Sequence, residues 1–548
     1  MKKTCTATGV EFELTEDDLK FYEKMGVPTP SLCPDERQRR RLSWRNERSI
    51  YRRKCDKCKN LIISVYNSGA KFPVYCNKCW HEDEWEAKSF SQDFDFSKPF
   101  FEQFKELMTK VPRFALSQSN NENCNFTNFC YDSKNCYLSQ RVGNCEDVLY
   151  SYLPIINRDI VDCYNITNSE LCYELTDARQ CYNCCFGEHV ENCRDSKFLF
   201  NCRGCQDCFF CANLRGKQYY FCNEKLSKTD YQQKIKEFIN LSFSQKQKLW
   251  SSFLQLKSQQ IVPHMTANKV ENVTGDYLME SKNVFESFDC TKCEDLKYSQ
   301  GPFDVHSSFD TTCTWKCKQL YEVIAGIKSE NCLFCFNPLN SSFDLFYSIE
   351  CLNNSNNCFG CISLKHSQYC VLNKQYSKKE YFKLRNKIIE HMKKTGEWGE
   401  FFPIEISPFG YNETVAQEYF SLTKEEVVAK GWSWKDEETT TKYNGPPIQI
   451  PDSIKDVDDS ICEKILTCET TGKNYRIQKE ELKFYKKMNL PIPRLCPDER
   501  HRKRMELRNA RVLHNRLCDK CGIEIQTTFL PDRPEKVFCE KCYLNEIN

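Results

Sequence analysis

The sequence carries almost no net charge, although charged residues are common in it. It has 78 Lys and Arg against 76 Asp and Glu, which leaves a formal charge of +2 at pH 7. So small an excess gives no long-range field that would attract nucleic acid or a membrane surface. Any surface that binds nucleic acid must therefore be local.

Long apolar runs are missing as well. The residues after Met1 are polar and acidic where a signal peptide would need an apolar core, and no run of about 18 apolar residues occurs. These absences predict a soluble, cytoplasmic protein with no membrane partner.

Enzyme signatures are also missing. The sequence has no phosphate-binding loop, no dinucleotide fingerprint, no His-Glu-x2-His helix and no nucleophile elbow, and its eight histidines are scattered. We therefore expect a protein that is not an enzyme. Parallel β-helices can carry carbohydrate chemistry on paired carboxylates, so Asp289 and Asp310 are kept as a third, less favoured alternative.

Cysteine is the residue that the sequence has in excess, with 38 in 548 positions. Such a count in a short exported chain would indicate a disulfide framework, but this length and the missing signal favour reduced thiols and bound metal. A chain of this length also predicts several domains, since one domain usually takes roughly 100 to 200 residues.

The strongest motif is Cys-x2-Cys-x17-Cys-x2-Cys, which occurs twice. Paired Cys-x2-Cys turns can place four thiolates around Zn2+, and a closed shell of four thiolates leaves no position for water. A strand-like segment precedes each second pair, which favours a treble-clef-like fold. The motif predicts two structural zinc sites, with Cys55, Cys58, Cys76 and Cys79 as ligands of the first and Cys518, Cys521, Cys539 and Cys542 as ligands of the second.

Both zinc motifs belong to one duplicated module, because every matching residue pair is 463 positions apart. Ahead of each motif lies a degenerate ribbon in which Thr8, Glu36, Thr471 and Glu499 stand where second ligands would be. Threonine is a poor zinc ligand. We expect a metal-free ribbon, with a weak or mixed-ligand site as the alternative, at Cys5, Cys33, Cys468 and Cys496.

An arginine-rich stretch connects each degenerate ribbon to its intact site. Residues 37–54 hold nine basic side chains and one acid, and residues 500–516 hold seven and one. At helical spacing such side chains can contact phosphates, whereas the alternative is a solvated helix whose arginines pair with nearby acids. The candidate nucleic-acid contacts are Arg37, Arg39, Arg40, Arg41, Arg45, Arg48, Arg52, Arg500, Arg502, Lys503, Arg504, Arg508 and Arg511.

The central region contains a second duplication, in which residues 118–225 match 268–375 at an offset of 150. Asn-Cys occurs eight times there, and asparagine tolerates a left-handed turn while cysteine packs as a small apolar residue. Spacings of 19 between Cys313, Cys332, Cys351 and Cys370 suggest one coil per 18 to 20 residues. We predict a duplicated parallel β-solenoid, similar to a right-handed β-helix, with stacked cysteines.

These cysteines leave three interpretations. Packing as small apolar side chains is favoured, and thiol redox chemistry or metal handling is the alternative. Cys202-x2-Cys205-x2-Cys208-x2-Cys211 also resembles an iron–sulfur run, but it lacks the final spacing of the ferredoxin pattern, and its duplicate keeps only Cys358 and Cys361.

Capping boxes at Ser227 and Ser377 predict a helix after each solenoid half. The resulting order is a zinc module (1–90), a linker helix (91–117), the first solenoid half (118–226), capping helices and linker (227–267), the second half (268–376), a capping helix and connector (377–460), and the second zinc module (461–548).

The first copy of the module contains Cys5-x2-Thr8-Gly9-x2-Phe12, then Leu-x-Phe-Tyr-x-Lys-Met and Pro-x-Pro-x2-Cys-Pro-Asp-Glu-Arg. This pattern is similar to a zinc-ribbon domain of uncharacterised bacterial proteins. With 94–104 and 407–412, the whole chain resembles long Cys-rich proteins of small-genome bacteria. The resemblance implies no established activity.

The sequence therefore predicts a non-enzymatic zinc protein that serves as a binding scaffold. Nucleic acid or a ribonucleoprotein is the expected partner, and a protein partner is the alternative. A thiol-based redox or metal-handling protein is the rival function.

Overall fold

The computed structural model describes residues 1–315, 321–327, 343–352, 354–436, 445 and 448–547. Its N-terminal module alternates short hairpins with helices. Thr15 caps the first helix in a capping box with Asp18, Gly26 ends it in the left-handed conformation, and Pro34 opens the second helix. The elements are β1 (Lys2–Thr4), β2 (Glu11–Glu13), α1 (Glu16–Met25), α2 (Pro34–Leu42), β3 (Tyr51–Lys54), β4 (Leu61–Ser64), β5 (Val74–Tyr75) and α3 (Asn77–His81).

A linker with helix α4 (Phe100–Lys110) and strand β6 (Arg113–Phe114) leads into the first array of strands. The short strand β6 pairs in parallel with β5 of the module. Phe100, Phe104 and Leu107 of α4 are fully buried, so this helix belongs to a core and is not a solvated connection.

The first array is a 13-stranded sheet in which neighbours run parallel, except for the closing β18–β19 hairpin. Paired residues are 12 positions apart, as in Tyr152 with Tyr164 and Tyr182 with Arg194. The predicted repeat of 18 to 20 residues is therefore wrong. The strands are β7 (Gln118–Ser119), β8 (Asn128–Tyr131), β9 (Gln140–Gly143), β10 (Glu146–Leu149), β11 (Tyr152–Ile155), β12 (Arg158–Val161), β13 (Tyr164–Thr167), β14 (Glu170–Arg179), β15 (Tyr182–Glu191), β16 (Arg194–Phe200), β17 (Gln206–Ala212), β18 (Gln218–Phe221) and β19 (Glu224–Lys225).

A three-residue rule governs each 12-residue repeat. Every third residue from Asn120 to Cys222 has a positive φ, a conformation that asparagine, aspartate and glycine tolerate best. The residue that follows points into the interior, as Cys193 does after Asn192. The predicted role of Asn-Cys, a left-handed turn followed by a buried thiol, is confirmed in the described repeats.

The second array is reached through helices α5 (Lys228–Ile235) and α6 (Phe243–Ser258) and strand β20 (Ile261–Pro263). Its strands also pair in parallel at 12 residues, with local registers of 11 and 13. The described strands are β21 (Ala267–Asn268), β22 (Glu271–Met279), β23 (Lys282–Thr291), β24 (Glu294–Lys297), β25 (His306–Phe309), β26 (Thr312–Trp315), β27 (Ile324–Ile327), β28 (Phe343–Phe346), β29 (Asn356–Phe359), β30 (Gln368–Val371) and β31 (Lys374–Gln375).

Gly275 explains one of these register changes. It lies at the irregularity between β22 and β23 with φ near +141°, and a Cβ there would approach the Ser287 carbonyl oxygen to 1.8 Å. Only glycine fits so close a backbone contact. Cys332, which contributed to the predicted repeat length, lies outside the described residues, as does the side chain of Cys313.

Helix α7 (Lys378–Thr395) follows the second array, and Ser377 caps it as predicted. Ser227 likewise caps α5. The connector that comes next contains α8 (Val415–Tyr419) and α9 (Lys424–Ala429). Within the described residues, no helix is long and apolar enough to cross a bilayer.

The C-terminal module repeats the plan of the N-terminal one. Its strand β36 pairs in parallel with β20, as β5 pairs with β6. Its elements are β32 (Leu466–Thr467), β33 (Asn474–Tyr475), α10 (Lys479–Met488), α11 (Pro497–Met505), β34 (His514–Leu517), β35 (Glu524–Thr527), β36 (Lys536–Phe538) and α12 (Glu540–Ile547). The chain is thus a mixed α and β protein, with large parallel-rich sheets and a cysteine group in each terminal module.

Candidate metal centres and surrounding surfaces

The four predicted ligands of the N-terminal module come together. The Sγ atoms of Cys55, Cys58, Cys76 and Cys79 all lie within 4.8 Å of one another. Cys55 and Cys58 belong to the turn after β3, whereas Cys76 precedes α3 and Cys79 lies within it. Two separate backbone segments therefore bring their thiols to one point.

Local backbone geometry prepares this site. Lys59, with φ near +63°, donates its N–H to the Cys55 carbonyl at 2.9 Å and closes a tight turn. The Cys76 N–H donates to the Cys55 Sγ at 3.3 Å. Burial acts to raise the pKa of Cys55, but N–H groups of Cys76, Cys58 and Lys57 outweigh it and lower that pKa to about 7. The thiolate form that a metal needs is thus favoured.

The C-terminal module builds the same site. The Sγ atoms of Cys518, Cys521, Cys539 and Cys542 again lie within 4.8 Å of one another, and Gly522 takes the left-handed turn position of Lys59. The Cys539 N–H donates to the Cys518 Sγ at 3.2 Å. Backbone N–H groups, led by that of Cys539, lower the pKa of Cys518 to about 6 against the opposing effect of burial.

Each group of four thiols is suited to hold a metal ion. Four sulfur donors converge from two turns, and no histidine or carboxylate takes part. Among the residues that the structure describes, these are the only two places where three or more candidate ligands come so close. A shell of four thiolates has the composition of a structural site, not a catalytic one.

The degenerate ribbons differ from these sites. Cys5 and Cys33 are buried, and so are Cys468 and Cys496, but neither pair gathers a third ligand within the described residues. Thr471 Oγ1 lies 3.8 Å from the Cys496 Sγ. Glu36 and Glu499 stand where second ligands would be, and they form ion pairs with Arg39 and Arg502.

The arginine-rich helix α2 is buried against the second array. Arg37 and Arg41, both at most 1 % exposed, donate to the two carboxylate oxygens of Asp310 at 2.9 and 3.0 Å. Arg40 contacts Glu322 at 2.8 Å and Glu400 at 2.6 Å. These guanidinium groups are enclosed by protein and are not available to phosphates.

The corresponding helix α11 is buried against the first array. Arg500 and Arg504, which lie 463 positions after Arg37 and Arg41, both donate to Asp162. Arg504 does so at 2.7 Å, and it also donates to the Tyr150 carbonyl at 2.9 Å. The two modules therefore use equivalent arginine pairs to hold an equivalent aspartate.

Two further arginines hold a third aspartate. Arg508 donates to Asp177 at 2.9 Å and to Asp289 at 2.6 Å, and Arg511 donates to Asp289 at 2.7 Å. Burial alone would raise the pKa of Asp289, but Arg508 and Arg511 lower it to about 2. Since Asp289 and Asp310 both serve as arginine partners, neither is free to act as the carboxylate of a carbohydrate enzyme.

The remaining candidate contacts are divided between ion pairs and solvent. Arg39 pairs with Glu36, Arg45 with Glu47, Arg48 with Asp498, and Arg502 with Glu499 and Glu506. Arg52 and Lys503 are exposed, and Arg52 lies over the ring of Phe126. The predicted phosphate-binding face is therefore not formed, because most of its arginines are buried against carboxylates. The partners are also mostly in the arrays, and not on the helix itself as the alternative assumed.

Each module contacts both arrays in a crossed arrangement. The N-terminal module pairs its β5 with the strand that leads into the first array, while its Arg37 and Arg41 hold Asp310 of the second. The C-terminal module pairs β36 with the strand that leads into the second array, while its arginines hold Asp162 of the first. The four parts are thus tied together reciprocally.

The cysteines of the arrays line the interior. Cys202, Cys205, Cys208 and Cys211 occupy four successive inward positions, and all are at most 1 % exposed. The Cys202 thiol donates to the Phe200 carbonyl at 3.5 Å and to the Cys211 carbonyl at 3.6 Å. This pattern of partners recurs along the array and explains the nine-residue spacing, because nine is one 12-residue repeat less one three-residue side. The interior thiols act as small, weakly hydrogen-bonded core residues.

One side of the first array is left uncovered and forms an open groove of about 1230 Å³. Its floor is the backbone around Asn121, Ser133, Cys145, Asn157, Ser169 and Cys181. One rim, here called the amide rim, consists of Asn120, Asp132, Asn144, Ile156, Asn168, Gln180 and Asn192. The other, here called the charged rim, consists of Glu122, Lys134, Glu146, Arg158, Glu170, Tyr182 and Arg194.

Sequence reasoning missed the groove and the three aspartates that the arginines hold. The groove had a signal, since each rim recurs at every twelfth position, but only a 12-residue register makes that spacing visible. Asp162 and Asp310 carry no local signal, because their partners lie more than 260 positions away.

The chain matches no protein-family model, no curated protein and no solved structure, so its function must be inferred from its own residues and their geometry.

Proposed function

We propose that the chain is a non-enzymatic scaffold protein with two structural Zn2+ ions, in which the terminal modules fix the arrays and the arrays present the binding surface. One observation carries the proposal. The two copies of the module place equivalent arginine pairs on equivalent buried aspartates, Asp310 and Asp162. An arginine helix used in this way serves assembly of the fold, and it leaves the exposed side of an array for a partner.

Zinc is the metal that best suits the two cysteine groups. Four thiolates on paired Cys-x2-Cys turns form the donor set of structural zinc sites, and soft sulfur donors disfavour Mg2+ and Ca2+. When bound, the ion would hold the two turns of each module together. The residues that would hold it are Cys55, Cys58, Cys76 and Cys79, and Cys518, Cys521, Cys539 and Cys542.

We further infer that each array winds as a β-solenoid with one coil per 12 residues. Support comes from the parallel register of 12, from the positive φ at every third residue and from the inward cysteines. Four three-residue sides account for one repeat. Such a stack is a rigid platform, because each coil is hydrogen-bonded to the coils on either side.

Metal analysis tests the zinc proposal. Purified protein should contain two zinc ions per chain, and Cys58→Ser or Cys521→Ser should each lower the content to one. Cys222→Ser is the matched control, because Cys222 is exposed but lies outside both groups, and it should leave the content at two. A zinc content well below two in the unmodified chain, or another metal at that stoichiometry, would contradict the proposal.

The rival function, thiol redox chemistry or metal handling, requires thiols that a reagent can reach. The array cysteines from Cys130 to Cys211 are almost fully buried, whereas Cys222 is exposed. Alkylation followed by mass spectrometry should therefore label Cys222 in the native, zinc-loaded protein and the interior cysteines only after unfolding. Rapid labelling of Cys193 or Cys208 in the native protein would favour the rival function.

A further inference from the structure

The groove of the first array is the largest surface feature that the modules leave open. It crosses seven successive repeats, and its rims are continuous columns, since Glu122, Lys134 and Glu146 are direct neighbours, as are Arg158, Glu170 and Tyr182. Neighbouring parallel strands are ~4.8 Å apart, so the groove runs for roughly 30 Å. A ligand that fills it must be long and regular.

The charges of the groove exclude a charged polymer. Four acids and three basic residues line it, and they alternate in sign along the charged rim. Lys134 lies 3.1 Å from Glu122 and Arg158 lies 3.7 Å from Glu146, so the charges largely neutralise one another. A phosphate backbone needs a continuous positive track, which this rim does not provide.

The backbone of the groove excludes an added peptide strand. The N–H groups of Lys134, Arg158 and Tyr182 already donate to carbonyls of the next repeat at 2.9 to 3.1 Å. Strand addition requires unpaired backbone groups at a sheet edge, and peptides held by side chains need apolar pockets. Ile156 and Tyr182 are the only large apolar side chains among the lining residues, and both are widely separated rim positions.

The amide rim provides the chemistry that remains. Asn144, Asn168 and Asn192 recur at every second repeat and are exposed, and each amide offers two donors and one acceptor. Tyr182, 40 % exposed, presents an aromatic ring to the same groove. Amides next to an exposed ring suit hydroxyl-rich, uncharged units that repeat at about the spacing of the strands.

From these features we infer that the groove binds a neutral linear polysaccharide, with about one sugar unit along each 12-residue repeat. The inference rests on the proposed scaffold function and names the partner of that scaffold. Binding requires no catalytic carboxylate, because the acids of the charged rim are engaged with neighbouring cations.

The test is native affinity electrophoresis of the full chain in gels that contain hydroxyethyl cellulose, mixed-linkage β-glucan or glycol chitin. Heparin and poly(U) serve as anionic probes. We expect at least one neutral polymer to retard the protein, whereas the anionic polymers do not. No retardation by any of the three neutral polymers, or retardation by heparin or poly(U) alone, overturns the inference.

Variants locate the site. The double variant Asn144→Asp/Asn168→Asp keeps residues that tolerate a positive φ but removes four donors, and it should weaken binding about tenfold or more. Tyr182→Ala should weaken it independently. Asn272→Asp is the matched control, since Asn272 is an exposed residue of positive φ in the second array, away from the groove.

Equal binding by wild type and both groove variants would overturn the inference, even if a polysaccharide retards the protein. Zinc content and thermal stability, measured on the same samples, separate this result from failure of the scaffold proposal. A protein with two zinc ions and no polysaccharide binding refutes only the groove. A protein without zinc refutes the scaffold.

Discussion

At the scale of single residues, the molecule depends on a few carboxylates that each neutralise two arginines. Asp310 lies between Arg37 and Arg41, and Asp162 between Arg500 and Arg504. All of these groups are buried. An ion pair in such a place contributes little by itself, but removing one partner leaves an uncompensated buried charge.

Asp310→Asn should therefore be strongly destabilising, because Arg37 and Arg41 would both lose their counter-ion. We expect the free energy of unfolding to fall by about 3 to 5 kcal/mol, and a similar loss for Asp162→Asn. Denaturant unfolding measures it. Asp17→Asn is the control, since the Asp17 side chain is 87 % exposed and pairs only with Lys20, and it should change stability by less than about 1 kcal/mol. Equal effects of Asp310→Asn and Asp17→Asn would show that the buried pairs do not matter.

Asp289 gives the same principle a pH dependence. Its pKa in the folded protein is about 2, below its ordinary value of 3.8, so the folded state favours the charged form. The stabilisation is complete above pH 4 and is lost as the pH falls through about 2. The melting temperatures of wild type and Asp289→Asn should differ clearly at pH 6 and converge towards pH 2. A difference that stays constant over this range would assign the effect to packing.

At the scale of elements, the repeat shows what the sequence could and could not predict. Asn-Cys predicts a left-handed residue followed by a buried thiol, because both preferences are local. The repeat length was not predictable from cysteine spacing. Cys351 and Cys370 are 19 apart because three-residue sides are interrupted by the 13-residue register between β28 and β29. Irregularities of this kind depend on the paired strand, which the local sequence does not contain.

The metal sites and the arginines show the same contrast. The Cys-x2-Cys turns could be read from the sequence, because each turn is local and the pair recurs at a fixed spacing. Whether an arginine faces solvent depends on what packs against its helix. For Arg37 that neighbour is Asp310, 273 positions away.

Substitution at a positive-φ position tests the three-residue rule. Asn192 has φ near +51° and is exposed, so Asn192→Gly should leave stability almost unchanged. Asn192→Val should cost about 1–2 kcal/mol, because a branched side chain disfavours this conformation. Thermal and denaturant unfolding would measure both variants. A valine variant as stable as the glycine variant would show that the backbone there is not constrained as described.

At the scale of the whole molecule, the crossed contacts make the four parts depend on one another. A module that loses its metal should release its arginine helix, and with it the array that the helix holds. Hydrogen exchange of zinc-loaded and chelator-treated protein would measure this. We expect faster exchange in β12 (Arg158–Val161) and β25 (His306–Phe309), next to Asp162 and Asp310, but not in β18 (Gln218–Phe221). Exchange that rises in the modules alone would show that they are independent attachments.

The distance along the chain between Arg37 and Asp310 also affects how the protein is made. The ribosome must add 273 residues after Arg37 before its partner exists, which takes roughly a quarter of a minute to a minute at ordinary rates of synthesis. Throughout that time Arg37 and Arg41 stand in water without their carboxylate. Arg500, in contrast, emerges after Asp162 has been synthesised, 338 positions earlier. Two copies of one module therefore mature under different conditions, and the nascent first copy is the one that needs protection.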